Sequence, residues 1–200
     1  MKCIVFSNNQ GKLKELHELL SQLNMDVVGY KDVFNKTIDV VEDGVTFHDN
    51  ALKKVQALAD FSDDIYVADD SGLEIDALNN EPGVFSARYG GEGLTDHERC
   101  EYVLEKIKGV SNRRARFKCV LAVIMPDKSQ LFFEGKVEGV ITEKIIGTQG
   151  FGYDPIFIPE GYSQTFAELG IDLKYKVSHR ARAMAKLKEC LVASVTKIKY

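Results

Sequence analysis

Two adjacent carboxylates occur in the segment VADDSGLEID, residues 67–76. Asp69 and Asp70 follow an apolar run and precede a Ser-Gly pair that predicts a turn. Charge repulsion and loss of hydration oppose such crowding unless a metal ion, a proton or several hydrogen-bond donors compensate it. Glu42, in the loop VEDG before a predicted helix, could bring a third carboxylate to the same strand ends, and hard oxygen ligands suit Mg²⁺. A solvated acidic loop is the alternative.

The segment SNNQGK, residues 7–12, is a candidate anion site between a predicted strand and a predicted helix. Unpaired backbone N–H groups and the positive end of the helix dipole favour a phosphate there, and Lys12 adds a full charge. The segment is not a P-loop, because that motif needs glycine where Phe6 stands and Ser or Thr where Leu13 stands. A plain N-capped surface helix is the alternative.

The segment GTQGFGYDPIF, residues 147–157, combines three glycines with Phe151 and Tyr153. Such a loop can bring backbone groups and aromatic faces close to a flat ligand such as a nucleobase. A β-turn that packs its rings into the core is the alternative.

Basic residues accumulate in LKYKVSHRARA, residues 173–183, where Lys174 and Lys176 precede a helix that begins with His179 and Arg180. Positive charge at a helix N-terminus opposes the helix dipole. A compensating gain is therefore expected, for instance donation to an anion or a carbonyl oxygen. A few exposed basic residues at a helix start are the alternative.

Composition limits the classes of ligand. The 200-residue chain has 26 Lys and Arg against 30 Asp and Glu and no block of like charges, so binding to DNA or RNA is not expected. No apolar run approaches the ~18 residues of a membrane span, and the four cysteines contain no CxxC pair that would suggest zinc. We expect a soluble cytoplasmic protein, and any phosphate that it binds should belong to a small molecule.

Strand and helix patterns position these segments. Residues 2–6 are predicted to form a buried strand, and a helix follows with leucines at helical spacing: Leu13, Leu16, Leu20 and Leu23. Capping boxes predict two further helix starts, at Thr46 with Asp49 and at Thr95 with Glu98.

The remaining patterns predict strands. IYVA, residues 65–68, is predicted to be buried, and two long strands at 115–125 and 131–141 are joined by PDKS as a hairpin. The N-terminal βα units favour parallel pairing, whereas the hairpin requires an antiparallel pair. We therefore predict one α/β domain, residues 1–200: a two-lobed mixed β-sheet with flanking helices and a central cleft for a ligand.

Together these segments resemble the inosine/xanthosine triphosphate pyrophosphatase family, whose members hydrolyse non-standard purine nucleoside triphosphates to the monophosphate and pyrophosphate. The resemblance covers nearly the whole chain in the family's order and approximate spacing: SNNQGK, EDGVTFHDNALKK, ADDSGLEIDAL, PGVFSARYGG, GFGYDPIF and VSHRA. The first segment departs from the family pattern, because Ser7-Asn8-Asn9 stands where the family usually has Thr-Gly-Asn.

The resemblance implies a role for each matched residue. Glu42 and Asp70 are implied to bind Mg²⁺, and Asp70 is also implied to accept the proton of the attacking water. Nucleotide contacts are implied for the other matched residues: Ser7, Asn8, Asn9, Gln10, Gly11, Lys12, Lys54, Ser71, Phe151, Gly152, Tyr153, Asp154, Lys174, His179 and Arg180. The family's two-lobed fold and homodimer are implied as well.

Two other functions remain open. A non-catalytic nucleotide-binding sensor would use the same phosphate segment and aromatic loop, but it would not need Glu42 and Asp70 with a metal. A pyrophosphatase for modified pyrimidine nucleotides would not need the pair His179-Arg180 at this position.

Overall fold

A computed structural model gives the fold and describes residues 2–21, 25–58 and 63–197. Strands in this part of the chain are β1 (Lys2–Phe6), β2 (Asp26–Gly29), β3 (Ile65–Ile75), β4 (Arg114–Ile124), β5 (Gln130–Ile141) and β6 (Phe157–Pro159). The α-helices are α1 (Gln10–Ser21), α2 (Tyr30–Phe34), α3 (Phe47–Gln56), α4 (Asp96–Lys106), α5 (Phe166–Leu169), α6 (Ile171–Val177) and α7 (His179–Lys197).

The strands form one mixed sheet in the order β2-β1-β3-β4-β5-β6. β1 pairs in parallel with β2 and β3, whereas β5 and β6 pair antiparallel. Residues 125–129 form a turn between the neighbouring strands β4 and β5, where the sequence predicts a hairpin. The predicted α/β class, a mixed sheet with flanking helices, is therefore confirmed.

The chain divides into two compact units, and the boundaries fall inside β3, β4 and β5 and after the first residue of α7. The first unit takes its described residues from 1–70, 119–135 and 180–200, and the second takes them from 71–118 and 136–179. The single domain and the central cleft stay predictions.

The core of the first unit includes β1 and the helix that follows it. Ile4 is completely buried, and Phe6 stacks on Tyr30 with ring centroids 4.6 Å apart. Leu16 and Leu20 lie four residues apart on α1, so both leucines are buried on one helix face. The predicted N-terminal strand and helix are present; Leu23 lies outside the described residues.

The core of the second unit is rich in aromatic rings. Phe117 of β4 meets Phe157 edge to face with ring centroids 4.7 Å apart, and Phe166 stacks on Phe157 at 5.6 Å. Leu73 of β3 and Val103 of α4 are completely buried in the same cluster. Aromatic pairs of this kind add to the stabilisation from burial.

Helix starts agree with the local sequence. At α3 the Thr46 side chain accepts a hydrogen bond from the Asp49 amide, and the Asp49 carboxylate accepts one from Thr46. Thr95 and Glu98 form the same reciprocal pair at α4. Both predicted capping boxes are therefore confirmed, and a third box, which was not predicted, starts α5. Among the described residues, no helix has the length and apolar character needed to cross a membrane.

β3 is longer than predicted. The Ser71-Gly72 pair predicts a turn, but the strand continues to Ile75. The turn prediction is wrong because Ser and Gly express only a local preference, whereas Leu73 and Ile75 are completely buried in the second core. Asp69 and Asp70 therefore lie within a strand and not at its end.

Removal of the Thr95 hydroxyl should destabilise the start of α4. Thr95→Ala leaves the Glu98 amide without its side-chain acceptor, so the free energy of unfolding in urea should fall by about 1 kcal/mol. Thr95→Ser keeps the hydroxyl and should retain most of the stability. Equal unfolding midpoints for the two variants would contradict the capping role.

Candidate active site

The alternation of side chains along β3 separates the two adjacent aspartates. Successive residues of a strand point to opposite faces of the sheet, so Asp69 and Asp70 meet different helices. Asp69 is 2% exposed and contacts side chains of α1 and α7, whereas Asp70 is 5% exposed and contacts side chains of α3. One dipeptide thus supplies two carboxylates with different surroundings.

Asp69 is held by buried ion pairs. The Arg180 Nε and Nη2 atoms donate to Asp69 Oδ2 at 3.3 and 3.1 Å, and Arg180 Nη1 donates to Glu15. Lys12 Nζ lies 3.5 Å from Asp69 Oδ2. Burial raises the pKa of Asp69, but the charges of Lys12 and Arg180 outweigh burial and hold the pKa well below its usual range. Asp69 is therefore a fixed anion.

Asp70 shares one lysine with Glu42. The Lys54 Nζ atom lies 3.1 Å from Asp70 Oδ1 and 3.0 Å from Glu42 Oε2. Burial raises the pKa of Asp70 and outweighs the opposing attraction of Lys54, so the net shift is upward. Burial also lowers the pKa of Lys54, but the attraction of the surrounding carboxylates outweighs it and keeps the lysine charged. Asp70 is thus a stronger proton acceptor than an exposed aspartate.

The carboxylates of Glu42 and Asp70 could also hold a divalent cation. Their oxygens converge on one ammonium group, and the buried Asp69 Oδ1 atom has no hydrogen-bond partner among the described residues. Within that part of the chain no group of three or more His, Cys, Asp or Glu residues is placed to bind a metal. Two carboxylates nevertheless fit Mg²⁺, which commonly takes one or two and completes its octahedron with water and phosphate oxygens.

The predicted phosphate segment, residues 7–12, lies beside Asp69. β1 ends at Phe6, which pairs with Ala68 of β3, so the next residues along both strands are neighbours. The Asn9 carboxamide accepts a hydrogen bond from the Lys12 amide at 3.1 Å and caps α1. Asn8 Oδ1 accepts one from the Tyr30 hydroxyl at 2.6 Å. Gln10 and Gly11 begin α1, and the phosphate contacts of the whole segment stay predictions.

A second group of predicted residues meets in the second unit. Lys174 Nζ lies 2.6 Å from Asp154 Oδ2 and 4.1 Å from the centroid of the Phe151 ring. The Phe151 amide donates to the same Asp154 oxygen at 2.9 Å. Gly150 has φ +83°, and a β-carbon there would lie 2.2 Å from Asp154 Oδ2, so this turn requires glycine. The buried lysine and carboxylate and the half-buried ring therefore form one compact group.

Other predicted residues of the second unit have structural contacts. Tyr153 is buried and its hydroxyl donates to the Ser86 carbonyl at 2.8 Å, as the core-packing alternative predicts. The Gly152 amide donates to the carboxylate of Asp96 at 2.7 Å. His179 stacks on Phe117 with ring centroids 4.9 Å apart. Ser71 is part of β3. Ligand contacts of these residues stay predictions.

The chain is similar to known proteins over nearly its whole length. Residues 3–190 match the sequence profile of the Ham1 family. The chain belongs to the Ham1 family. The resemblance predicted from the motifs is therefore confirmed.

Similar proteins of the Ham1 family cover nearly the whole chain. A Desulforamulus reducens protein named dITP/XTP pyrophosphatase is 46% identical over 193 residues, with 96% of each chain covered. A Bacillus subtilis protein of the same name is 44% identical over 194 residues, with 96% of this chain and 98% of the relative covered. The structure of the Staphylococcus aureus Ham1 protein superposes with a TM-score of 0.86 at 38% identity, covering 97% of this chain and 100% of that one.

Sequence reasoning missed two buried polar residues of this Ham1 chain. Glu15 binds Arg180, and Asn50 binds Asp70. A signal was available, because Glu15 adjoins the buried Leu16 and Asn50 precedes Lys54 by one helical turn. A polar side chain on the apolar face of a helix needs a buried partner, but the sequence does not name that partner.

Loss of Arg180 should destabilise this Ham1 chain strongly. Arg180→Met leaves the buried Glu15 and Asp69 carboxylates without their main partner, which should lower the free energy of unfolding by about 3–5 kcal/mol in urea. Lys14→Met, in an exposed position of α1, should change it by less than about 0.5 kcal/mol. Similar losses in both variants would contradict the ion-pair role.

Proposed function

We propose that this chain hydrolyses the non-standard purine nucleoside triphosphates ITP, dITP and XTP to the monophosphate and pyrophosphate, and so removes them from the nucleotide pool. The observation that carries the proposal is the convergence of Glu42 and Asp70 on the Lys54 ammonium in a Ham1 family chain. The 46% identity to a protein named dITP/XTP pyrophosphatase supports the substrate class. A protein that only binds nucleotides would not need this costly placement of carboxylates.

We assign Mg²⁺ to Glu42 and Asp70. When bound, the ion would supply positive charge to the phosphate oxygens and polarise the attacking water. The Lys54 ammonium already meets both carboxylates, which supports the assignment of a cation to this place.

Asp70 is the proposed proton acceptor. It takes a proton from a water molecule whose oxygen bonds to the α-phosphorus, while the bond from that phosphorus to the β-phosphate oxygen breaks and pyrophosphate leaves. Its raised pKa suits this role. Lys12 and Lys54, with the first amides of α1, neutralise the charge that grows on pyrophosphate. No covalent intermediate is required.

We assign the base to residues of the second unit. Phe151 covers the purine ring, and a donor from His179 meets the oxygen at position 6, where adenine carries an amino group. Arg180 of the first unit is the other candidate donor, and Asp69 and Glu15 accept hydrogen bonds from three of its N–H groups. An unpaired donor facing adenine would favour ITP and XTP.

We further propose that the protein is a homodimer in the cytoplasm. The family resemblance supports the dimer. Among the described residues, the four cysteines Cys3, Cys100, Cys119 and Cys190 are thiols rather than disulfides, which supports a reducing compartment. Sedimentation of the purified full chain tests the oligomeric state.

Product analysis with Mg²⁺ tests the proposed function. ITP should yield inosine monophosphate and one pyrophosphate. The kcat/KM for ITP should exceed that for ATP by a factor on the order of 10⁴, because a site built around one hydrogen bond can discriminate by about that factor. Phosphate released from ITP in the presence and absence of an added pyrophosphatase distinguishes pyrophosphate from orthophosphate.

Three results would contradict this prediction. Orthophosphate as the first product would exclude attack at the α-phosphorus, and equal use of ITP and ATP would exclude the selectivity. Binding of ITP without turnover would instead indicate a nucleotide sensor.

Asp70→Asn should abolish most turnover while the fold is retained. The amide keeps the size of the carboxylate but cannot accept the proton or bind Mg²⁺ strongly, so kcat should fall by about 10² or more. Asp63→Asn, at an exposed carboxylate paired with Lys128, is the matched control and should leave kcat unchanged. Near-normal turnover of Asp70→Asn would show that another group accepts the proton.

A further inference from the structure

Asn50 of α3 is completely buried and makes hydrogen bonds in two directions. Its Oδ1 atom accepts from the Gly44 amide at 2.8 Å, and its Nδ2 atom donates to the Gly44 carbonyl at 3.4 Å. The same Nδ2 atom donates to Asp70 Oδ2 at 3.2 Å. One side chain therefore joins the backbone at Gly44 to the Asp70 carboxylate.

The contact with Gly44 fixes the loop that carries Glu42. Gly44 lies two residues after Glu42, and Asn50 satisfies both polar groups of its backbone. A β-carbon at position 44 would lie 2.6 Å from Asn50 Oδ1, so the close approach requires glycine. Buried backbone groups need such partners, and here a side chain of the neighbouring helix supplies both.

The contact with Asp70 fixes the orientation of its carboxylate. Oδ2 accepts from Asn50 and Oδ1 faces Lys54, so each oxygen has its own partner. Asn50 and Lys54 are four residues apart and therefore lie on the same face of α3. The carboxamide supplies one acceptor for the Gly44 amide and two N–H donors, one for the Gly44 carbonyl and one for Asp70, whereas a hydroxyl has only one donor.

We infer that Asn50 is a positioning residue. It holds the loop that carries Glu42 at a fixed position relative to the Asp70 carboxylate, so that both carboxylates face the same cation. The inference rests on the proposed function for its catalytic consequence and on the three hydrogen bonds for its geometry. Asn50 touches neither the cation nor the substrate in this role. Partners of ligating carboxylates act in this way in metal sites, and their loss commonly costs 10–100-fold in affinity or activity.

Asn50→Ala and Asn50→Ser in the full chain test the inference, with Val55→Ala as the matched control. Val55 is completely buried on the same helix, so its truncation weakens the packing of α3 without removing a bond to Asp70 or Gly44. Binding of Mn²⁺ to the nucleotide-free protein, followed by electron paramagnetic resonance, gives a readout independent of turnover. The Mg²⁺ dependence of pyrophosphate release from ITP gives the second readout.

Both Asn50 variants should bind Mn²⁺ about 10–100-fold more weakly than the parent and need correspondingly more Mg²⁺ for half-maximal turnover. Val55→Ala should lower the unfolding midpoint but leave both cation readouts within about twofold of the parent. Equal cation affinities for parent and Asn50 variants would overturn the inference. Failure of both Asn50 variants to fold would also overturn it, because Asn50 would then serve stability alone.

The two readouts distinguish this inference from the proposed function. If the parent binds Mn²⁺ but does not hydrolyse ITP, the proposed function fails, while weaker Mn²⁺ binding by the Asn50 variants would still support the positioning role. If the parent binds no Mn²⁺, the assignment of Glu42 and Asp70 to a cation fails, and the inference fails with it.

Discussion

Two adjacent carboxylates are buried in one strand of the first unit, and both need positively charged partners. A buried ion costs several kcal/mol unless it is paired and hydrogen-bonded, and Asp69 and Asp70 are both nearly inaccessible. Their partners come from three different helices: Lys12 of α1, Lys54 of α3 and Arg180 of α7. The three helices must therefore pack against β3 so that each helix places one basic side chain near the dipeptide.

The same requirement gives the two aspartates different chemistry. Asp69 faces Arg180 and Lys12, which hold its pKa low, so it remains an anion that orders the helices. Asp70 faces Lys54 and the neutral donor Asn50, and burial raises its pKa. Neighbouring carboxylates whose pKa values are pushed apart commonly divide structural and proton-transfer roles. Strand alternation makes this division possible, because it gives the two carboxylates different partners.

Local signals predicted much of the fold, and long-range contacts explain what they missed. The capping boxes at Thr46 and Thr95 depend on residues three positions apart, so the sequence located both helix starts. The course of β3 beyond Asp70 depends on burial of residues far along the chain, so the Ser-Gly pair predicted a turn that is not present. Arg180 was expected to gain a ligand, but much of its compensation comes from Asp69 and Glu15, which no local pattern connects to it.

The balance of charge in the first unit leaves room for a cation. Among the described residues around the dipeptide, two pairs of carboxylates each share one cation: Glu15 and Asp69 share Arg180, and Glu42 and Asp70 share Lys54. In the second unit Lys174 and Asp154 instead neutralise each other beside an aromatic ring. Under the proposed function, the first cluster would accept a divalent cation together with phosphate, and the second would accept a polar but uncharged ring.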